Sequence, residues 1–434
     1  MLRSVIAFPE SRRILWLHLF ASPFLALQWG AMAMIPVLLR DHFNASAWQT
    51  TAATAAASLM FVLSVVWGEI YRRLGSDRYI ALVWLVTAGP LAAMATAHSA
   101  WAMLGWLFLT SVGLAGFNPL NGDVLRSCYP PTARSKVFAL TQMVAQTTVM
   151  ASAWAIGLWL DYDNRSFRIY MPLAALAVAA GLVFIHRITR ERLFQERLRH
   201  QNTAPFTVGI RNLVDYALDV LRKDADFRRY EVAYFVQGLG WIMCACVVPL
   251  LVCDVLALTY TQIAKATQST FQLALIATML PLSYLMDRRG PFGVAVWGFL
   301  MVMVYPVALM LIGMGWAGTH TVTALTLTTV WFGAGIASIH LAWTIGPVTL
   351  APSASDASYY LAIHASMVAP RSLIGLLLVV GMYRATGSLN LPLITAAVFS
   401  GIGALLMWRL QRLRSRPLRT TVAEQIIPTP PRAT

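Results

Sequence analysis

Ser283-Tyr284-Leu285-Met286-Asp287-Arg288-Arg289-Gly290 is a short charged stretch between two long apolar runs. A stretch of the same kind, Gly68-Glu69-Ile70-Tyr71-Arg72-Arg73-Leu74-Gly75, lies about half a chain earlier. Each opens on a small residue, continues with charged residues that include arginine, and closes on glycine. Each also follows the second apolar run of its half. A half-chain period in an apolar sequence points to duplication of a membrane unit.

Composition agrees. The chain is 58% hydrophobic and 12% charged, whereas soluble domains are about 25% charged. Water cannot solvate so much apolar surface, so lipid is the expected solvent. A bilayer core takes roughly 20 apolar residues per helix. The predicted spans are Ile14–Leu39, Trp48–Tyr71, Tyr79–Ala97, Trp101–Leu125, Val137–Leu160 and Arg168–His186. After a polar interval come Tyr230–Cys253, Thr261–Met286, Gly293–Trp316, Thr321–Leu350, Ser358–Tyr383 and Leu389–Trp408. The runs are continuous, without the alternation a membrane barrel needs. The expectation is an all-α integral membrane protein of twelve transmembrane helices, with both termini on one side.

The net charge is +15, which could suggest nucleic acid. Its placement excludes that reading. Most Lys and Arg fall in the tails, the central interval and the loops on the side of the termini. On the opposite side are Arg40, Arg165, Arg168, Lys265 and Arg384, and Arg371 is left inside a span. This asymmetry places both termini in the cytoplasm and the chain in a cytoplasmic membrane. The four cysteines form no zinc, redox or disulfide spacing. The first apolar run is too long for a signal-peptide core and leads into further spans, so no cleavage is expected.

The predicted organisation is an N-terminal bundle (1–186), a basic cytoplasmic linker (187–229), a C-terminal bundle (230–409) and a disordered tail (410–434). In the linker, Ile210, Leu213, Val214, Ala217, Val220 and Leu221 recur at helical spacing, opposite Arg211, Asp215, Asp219 and Lys223. That pattern predicts an amphipathic helix lying on the membrane surface or against the bundle, or docking a partner.

The two charged stretches resemble the loop between the second and third helices of the major facilitator superfamily. Its pattern is Gly-x-x-x-Asp-Arg-x-Gly-Arg-Arg/Lys. The second copy keeps Asp287, Arg288 and Gly290, with Ser283 for the leading glycine. The first keeps Gly68, Arg73 and Gly75, with Arg72 in place of the acid and Ser76 and Asp77 in place of basic residues. The resemblance implies two pseudo-symmetric six-helix bundles and transport by alternating access. It implies a gating cluster at the cytoplasmic face from Asp287 and Arg288, which would hold the outward-facing state. Gly68, Arg73, Gly75, Asp123 and Gly290 are the accompanying gating candidates. It also implies a path lined by the first, fourth, seventh and tenth helices, which singles out Gln28, Gln237, Trp241, His340 and Trp343.

Ionisable groups inside a span cost on the order of 3 kcal/mol unless paired or hydrated. Arg371 stands out, about 13 residues and roughly 20 Å into the eleventh predicted span. It follows Pro370, which removes a backbone hydrogen bond. Facing a cavity, it would bind a carboxylate or phosphate; otherwise it is a buried arginine held by carbonyls or a neighbouring acid. His364 and His340 are candidates for carrying protons, or are packing residues. Glu69 and Asp123 fall near the cytoplasmic ends of their spans, where Arg72, Arg73 or Arg126 can pair with them. Asp254 falls near the outer end of the seventh. With none of these near mid-membrane, the open choices are coupling through histidine, exchange against a counter-solute, and facilitated diffusion.

There is no Walker loop, His-Glu-x-x-His pair or Gly-x-Ser-x-Gly elbow. No enzyme, cofactor or metal is expected. The expected function is transport of a small solute, an organic anion or zwitterion on the strength of Arg371 and the histidines. A carrier-like sensor or assembly partner and a polytopic membrane enzyme remain as alternatives.

Overall fold

The glycines that close the two charged stretches break their helices in the same way. The computed structural model describes residues 9–129, 131–191, 194, 206–352 and 357–415. In it Gly75 has φ 69°, ψ 164° and Gly290 has φ 69°, ψ 170°. That region of backbone space is essentially reserved for glycine. At both positions nothing lies within 4 Å of the place a Cβ would take. Backbone conformation, and not room, therefore demands glycine. Each break joins one span to the next inside the helical runs Ser64–Ala93 and Thr270–Gly313. The sequence repeat is thus also a repeat of backbone geometry.

Among the described residues, eleven helices are long and apolar enough to cross a membrane. They are the first span (Ser11–Asp41), third (Arg73–Thr96), fourth (Ala100–Leu125), fifth (Val137–Tyr162) and sixth (Phe167–Thr189). Then come the seventh (Ala225–Val255), eighth (Tyr260–Met286), ninth (Arg288–Gly313), tenth (Gly318–Leu350), eleventh (Tyr360–Thr386) and twelfth (Asn390–Arg414). The second span is built in pieces: the helix Ala47–Met60, a tighter turn Phe61–Leu63, and the start of Ser64–Ala93. Among the described residues no strand occurs.

Local chemistry sets the ends. Ser46 and Gln49 form a reciprocal cap that starts the second span, and Thr259 and Gln262 do the same for the eighth. The seventh span starts earlier than predicted because Asp224 caps it, accepting the Phe227 N–H at 2.9 Å. The last helix runs on to Ser415, past the predicted start of the tail.

Spans one to six and seven to twelve pack as two pseudo-symmetric bundles. Close approach rests on small residues. A Cβ on Gly113 would fall 2.7 Å from the Thr87 backbone nitrogen, and one on Gly403 would fall 2.6 Å from the Gln237 Cβ. The linker helix Phe206–Lys223 packs against the start of the seventh span and against the Ser64–Ala93 helix, so it touches both halves. Val220 is buried there, while Val214 and Leu218 are exposed. Arg211–Asp215 and Lys223–Asp219 pair along its outer side. The side chains of Ile210 and Leu213, which helped define its apolar face, lie outside the described residues.

Candidate functional site

The two bundles are joined at the face opposite the termini, called here the far face. Arg40, at the end of the first span, donates from Nε and Nη2 to the two carboxylate oxygens of Asp254 in the seventh, both at 2.7 Å. The Tyr260 hydroxyl donates to Asp41 at 2.6 Å. Asp161, at the end of the fifth span, accepts the backbone N–H groups of Tyr260 and Thr261, each at 2.8 Å. The Gln262 N–H is taken by Thr259. A carboxylate from one bundle therefore completes the helix start of the other, where N–H groups have no partner within the helix.

Deeper contacts lie on the same side. Cys246 Sγ donates to the Thr51 carbonyl at 3.7 Å, and Ser269 Oγ to the Met150 carbonyl at 2.9 Å. The turn Phe61–Leu63 touches both helical pieces of the eleventh span. At the other face the charged pairs are internal to one bundle among the described residues. They include Arg73–Glu69, Arg190–Asp77, Arg13–Glu191 and Arg414–Asp226. The described hydrogen bonds and ion pairs between the bundles are gathered on the side of the far face.

His340 is exposed although it lies inside the tenth span. The exposed apolar strip of that helix runs through Leu327, Val330, Ile345 and Val348. At 100° per residue, His340 sits about 140° from Leu327 and Ile345 and about 80° from Val330 and Val348. It lies nearly in line with Gly333, which packs on the eighth span.

Arg371 and His364 are 5% and 0% exposed inside the second bundle, and His364 meets Glu231, also 5% exposed. His364 Nδ1 lies 2.8 and 3.0 Å from the two Glu231 oxygens. Three aromatic rings surround the imidazole: Tyr234 at 4.8 Å, Trp343 at 5.0 Å and Tyr230 at 5.3 Å. Tyr230 and Tyr234 are fixed through their hydroxyls to the carbonyls of Ala342 and Ile339. Arg371 donates from Nη1 to the Tyr234 carbonyl at 3.2 Å and lies over Gly238. His364 Nε2 and Arg371 Nε are buried with no partner among the described residues. Unpaired buried polar atoms are costly, and two of them fall in this one cluster.

Sequence reasoning missed Glu231. It follows Arg228, Arg229 and Tyr230, and reads as the polar flank of a span. The cap at Asp224 was the available signal, because it starts the helix early enough to carry Glu231 inside. Gln28 and Gln237 are buried too, with Gln28 Oε1 and Gln237 Nε2 lacking partners among the described residues. Trp241 and Trp343 are partly buried. Of the predicted binding residues, the structure brings Arg371, His364 and Trp343 together. His340 is exposed elsewhere on the tenth span, and Gln28 belongs to the other bundle.

The profile of the Major Facilitator Superfamily matches residues 17–363. The chain belongs to the major facilitator superfamily. It is a membrane solute transporter. No curated protein matches it by sequence. Solved structures of the superfamily fold agree in shape. One is a POT family transporter in complex with 5-aminolevulinic acid, 15% identical, covering 93% of this chain and 96% of that one, with a TM-score of 0.72. Another is the nucleoside transporter NupG, 12% identical, covering 92% and 99%, with a TM-score of 0.72. A third is a bacterial homolog of the human lysosomal transporter Spinster, inward-facing and unoccupied. It is 11% identical, covering 92% and 97%, with a TM-score of 0.64.

Against the superfamily's gating loop, the residues divide. Gly75 and Gly290 make the backbone breaks. Arg73 holds Glu69 at 2.9 Å. Asp123 accepts the Tyr71 hydroxyl at 2.9 Å, a partner other than the arginines expected for it. Arg288 is exposed, and the side chain of Asp287 lies outside the described residues. Gly68 has no atom within 4 Å of a Cβ position, so close packing is not its role in this state.

Proposed function

We propose that this transporter couples a small organic anion or zwitterion to protons, with Glu231 and His364 carrying the proton. The observation that supports this reading is the 2.8 Å contact of carboxylate and imidazole in a sealed place beside Arg371. With the pair protonated, Glu231, His364 and Arg371 together carry one positive charge. With the proton lost they are neutral. An anion drawn toward Arg371 therefore binds better to the protonated cluster, and proton binding is favoured in turn by the anion. His340 and Trp343 would line the route. The termini would be cytoplasmic, the far face external, and the present state inward-facing. The bundles 1–186 and 230–409 would rock as units about the cavity, with the Asp287–Arg288 loop joining the latch on the cytoplasmic side in the opposite state.

Ligand-dependent thermal shift of the purified protein identifies solutes, and proteoliposomes with an imposed pH gradient measure their flux. Wild type should accumulate solute against its gradient when the proton gradient drives it. Glu231→Gln should keep solute exchange and lose accumulation. Equal accumulation by Glu231→Gln removes the proton assignment, and unchanged solute affinity in Arg371→Ala removes the anion anchor.

A further inference from the structure

At the far face the second bundle contains a cavity of about 260 Å³. It lies between the ends of the seventh, ninth and eleventh spans and the start of the twelfth. Its walls come from the second bundle alone. Met310, Met314 and Leu251 supply apolar surface; Asp254, Tyr383 and Asn390 supply oxygens. The Tyr383 hydroxyl and the Asn390 carboxamide have no side-chain hydrogen bond among the described residues. Asp254 lines the cavity from a stretch of wide helix, Leu251–Val255, closed by Leu256 N–H to the Leu251 carbonyl at 2.9 Å. Such wide turns frequently occur at functional sites.

In the present state Arg40 of the first bundle neutralises Asp254. When the bundles part at the far face, Arg40 leaves with its own bundle and the cavity stays intact. What remains is an unpaired carboxylate, with a phenol and a carboxamide beside it, at the edge of an apolar pocket. We infer that this cavity is a binding site for a small organic ammonium ion with an apolar body, which takes the place of Arg40 on Asp254. The ammonium donates to the carboxylate and to the neighbouring oxygens, and an aromatic or aliphatic body packs on the methionines. Because the ligand competes with Arg40, it favours the state open at the far face. The inference rests on alternating access and is independent of proton coupling.

Benzylammonium chloride is the probe, with benzyl alcohol as its uncharged counterpart, titrated calorimetrically into the purified full-length chain. Arg40→Ala leaves Asp254 unpaired without touching the cavity walls. It should bind benzylammonium about tenfold more tightly than wild type. The double variant Arg40→Ala, Asp254→Asn should lose that gain, as should Arg40→Ala with Ser388→Trp at the cavity mouth. Benzyl alcohol should not discriminate between the variants. Equal binding by wild type and Arg40→Ala overturns the site, as does a gain that persists without Asp254. Arg40→Gln repeats the test if the alanine variant is unstable. No solute or flux enters the measurement, so failure here leaves the proton reading standing, and the reverse holds.

Discussion

Arg40 and Asp254 meet through two parallel hydrogen bonds of 2.7 Å, and they come from different bundles. Partly exposed pairs contribute about 0.2–1 kcal/mol, with bidentate arginine geometry among the better cases. Removing the pair by Asp254→Asn should shift the balance roughly fivefold toward the state open at the far face. Distances between spin labels on the far ends of the first and seventh spans measure this. The charge-swapped double variant should recover part of the closed population. An unaltered distance distribution in Asp254→Asn would mean the pair does not bias the equilibrium.

Asp161 presents a different kind of link. It completes the start of the eighth span from across the interface by taking two N–H groups. Asp161→Ala leaves both without a partner in the closed state, at about 1 kcal/mol or more each. In the open state water replaces the carboxylate, so the cost falls on one state only. The variant should open the far face at least as much as Asp254→Asn does. Cysteine labelling near residue 261 would detect it, and labelling at the wild-type rate would count against the link.

Gly238 lies beneath the Arg371 side chain. A methyl group there would fall 2.5 Å from Cδ and 2.7 Å from Nε. Gly238→Ala should therefore lower stability by roughly 1–3 kcal/mol, the usual scale of overpacking. In Arg371→Ala the space is vacant, so the same substitution should cost much less there. Thermal unfolding of the two single variants and the double variant gives the coupling. Additive losses would show that the side chain does not occupy this place.

Gly75 and Gly290 share one backbone conformation. Alanine at either should cost about 1–3 kcal/mol by strain alone. The two losses should be similar, since neither site has a neighbour to clash with. A large difference in melting temperature between Gly75→Ala and Gly290→Ala would contradict the shared geometry.

The fold was legible because lipid leaves a sequence little freedom. Apolar runs and the repeated turn each constrain topology directly. The candidate site was legible in part. Arg371 announces itself, because a guanidinium inside an apolar run has no bland sequence context. Glu231 does not, because it borders charged residues and only the cap at Asp224 reveals how deep it sits. His364 and Arg371 share one helix and could be linked from spacing. Their packing against the seventh span depends on how helices far apart in sequence are rotated. The far-face latch was hidden for the same reason. Asp161, Asp41 and Arg40 read as loop charges until the bundles are set against each other.

The open space around Gly75 and Gly290 limits how evolution can mend damage there. With no neighbouring atom to move aside, a harmful change at either residue has no compensating change in a packing partner. Revertants selected from such a lesion should alter the same codon and restore glycine. Scattered second-site suppressors, common for mutations in packed cores, should be rare.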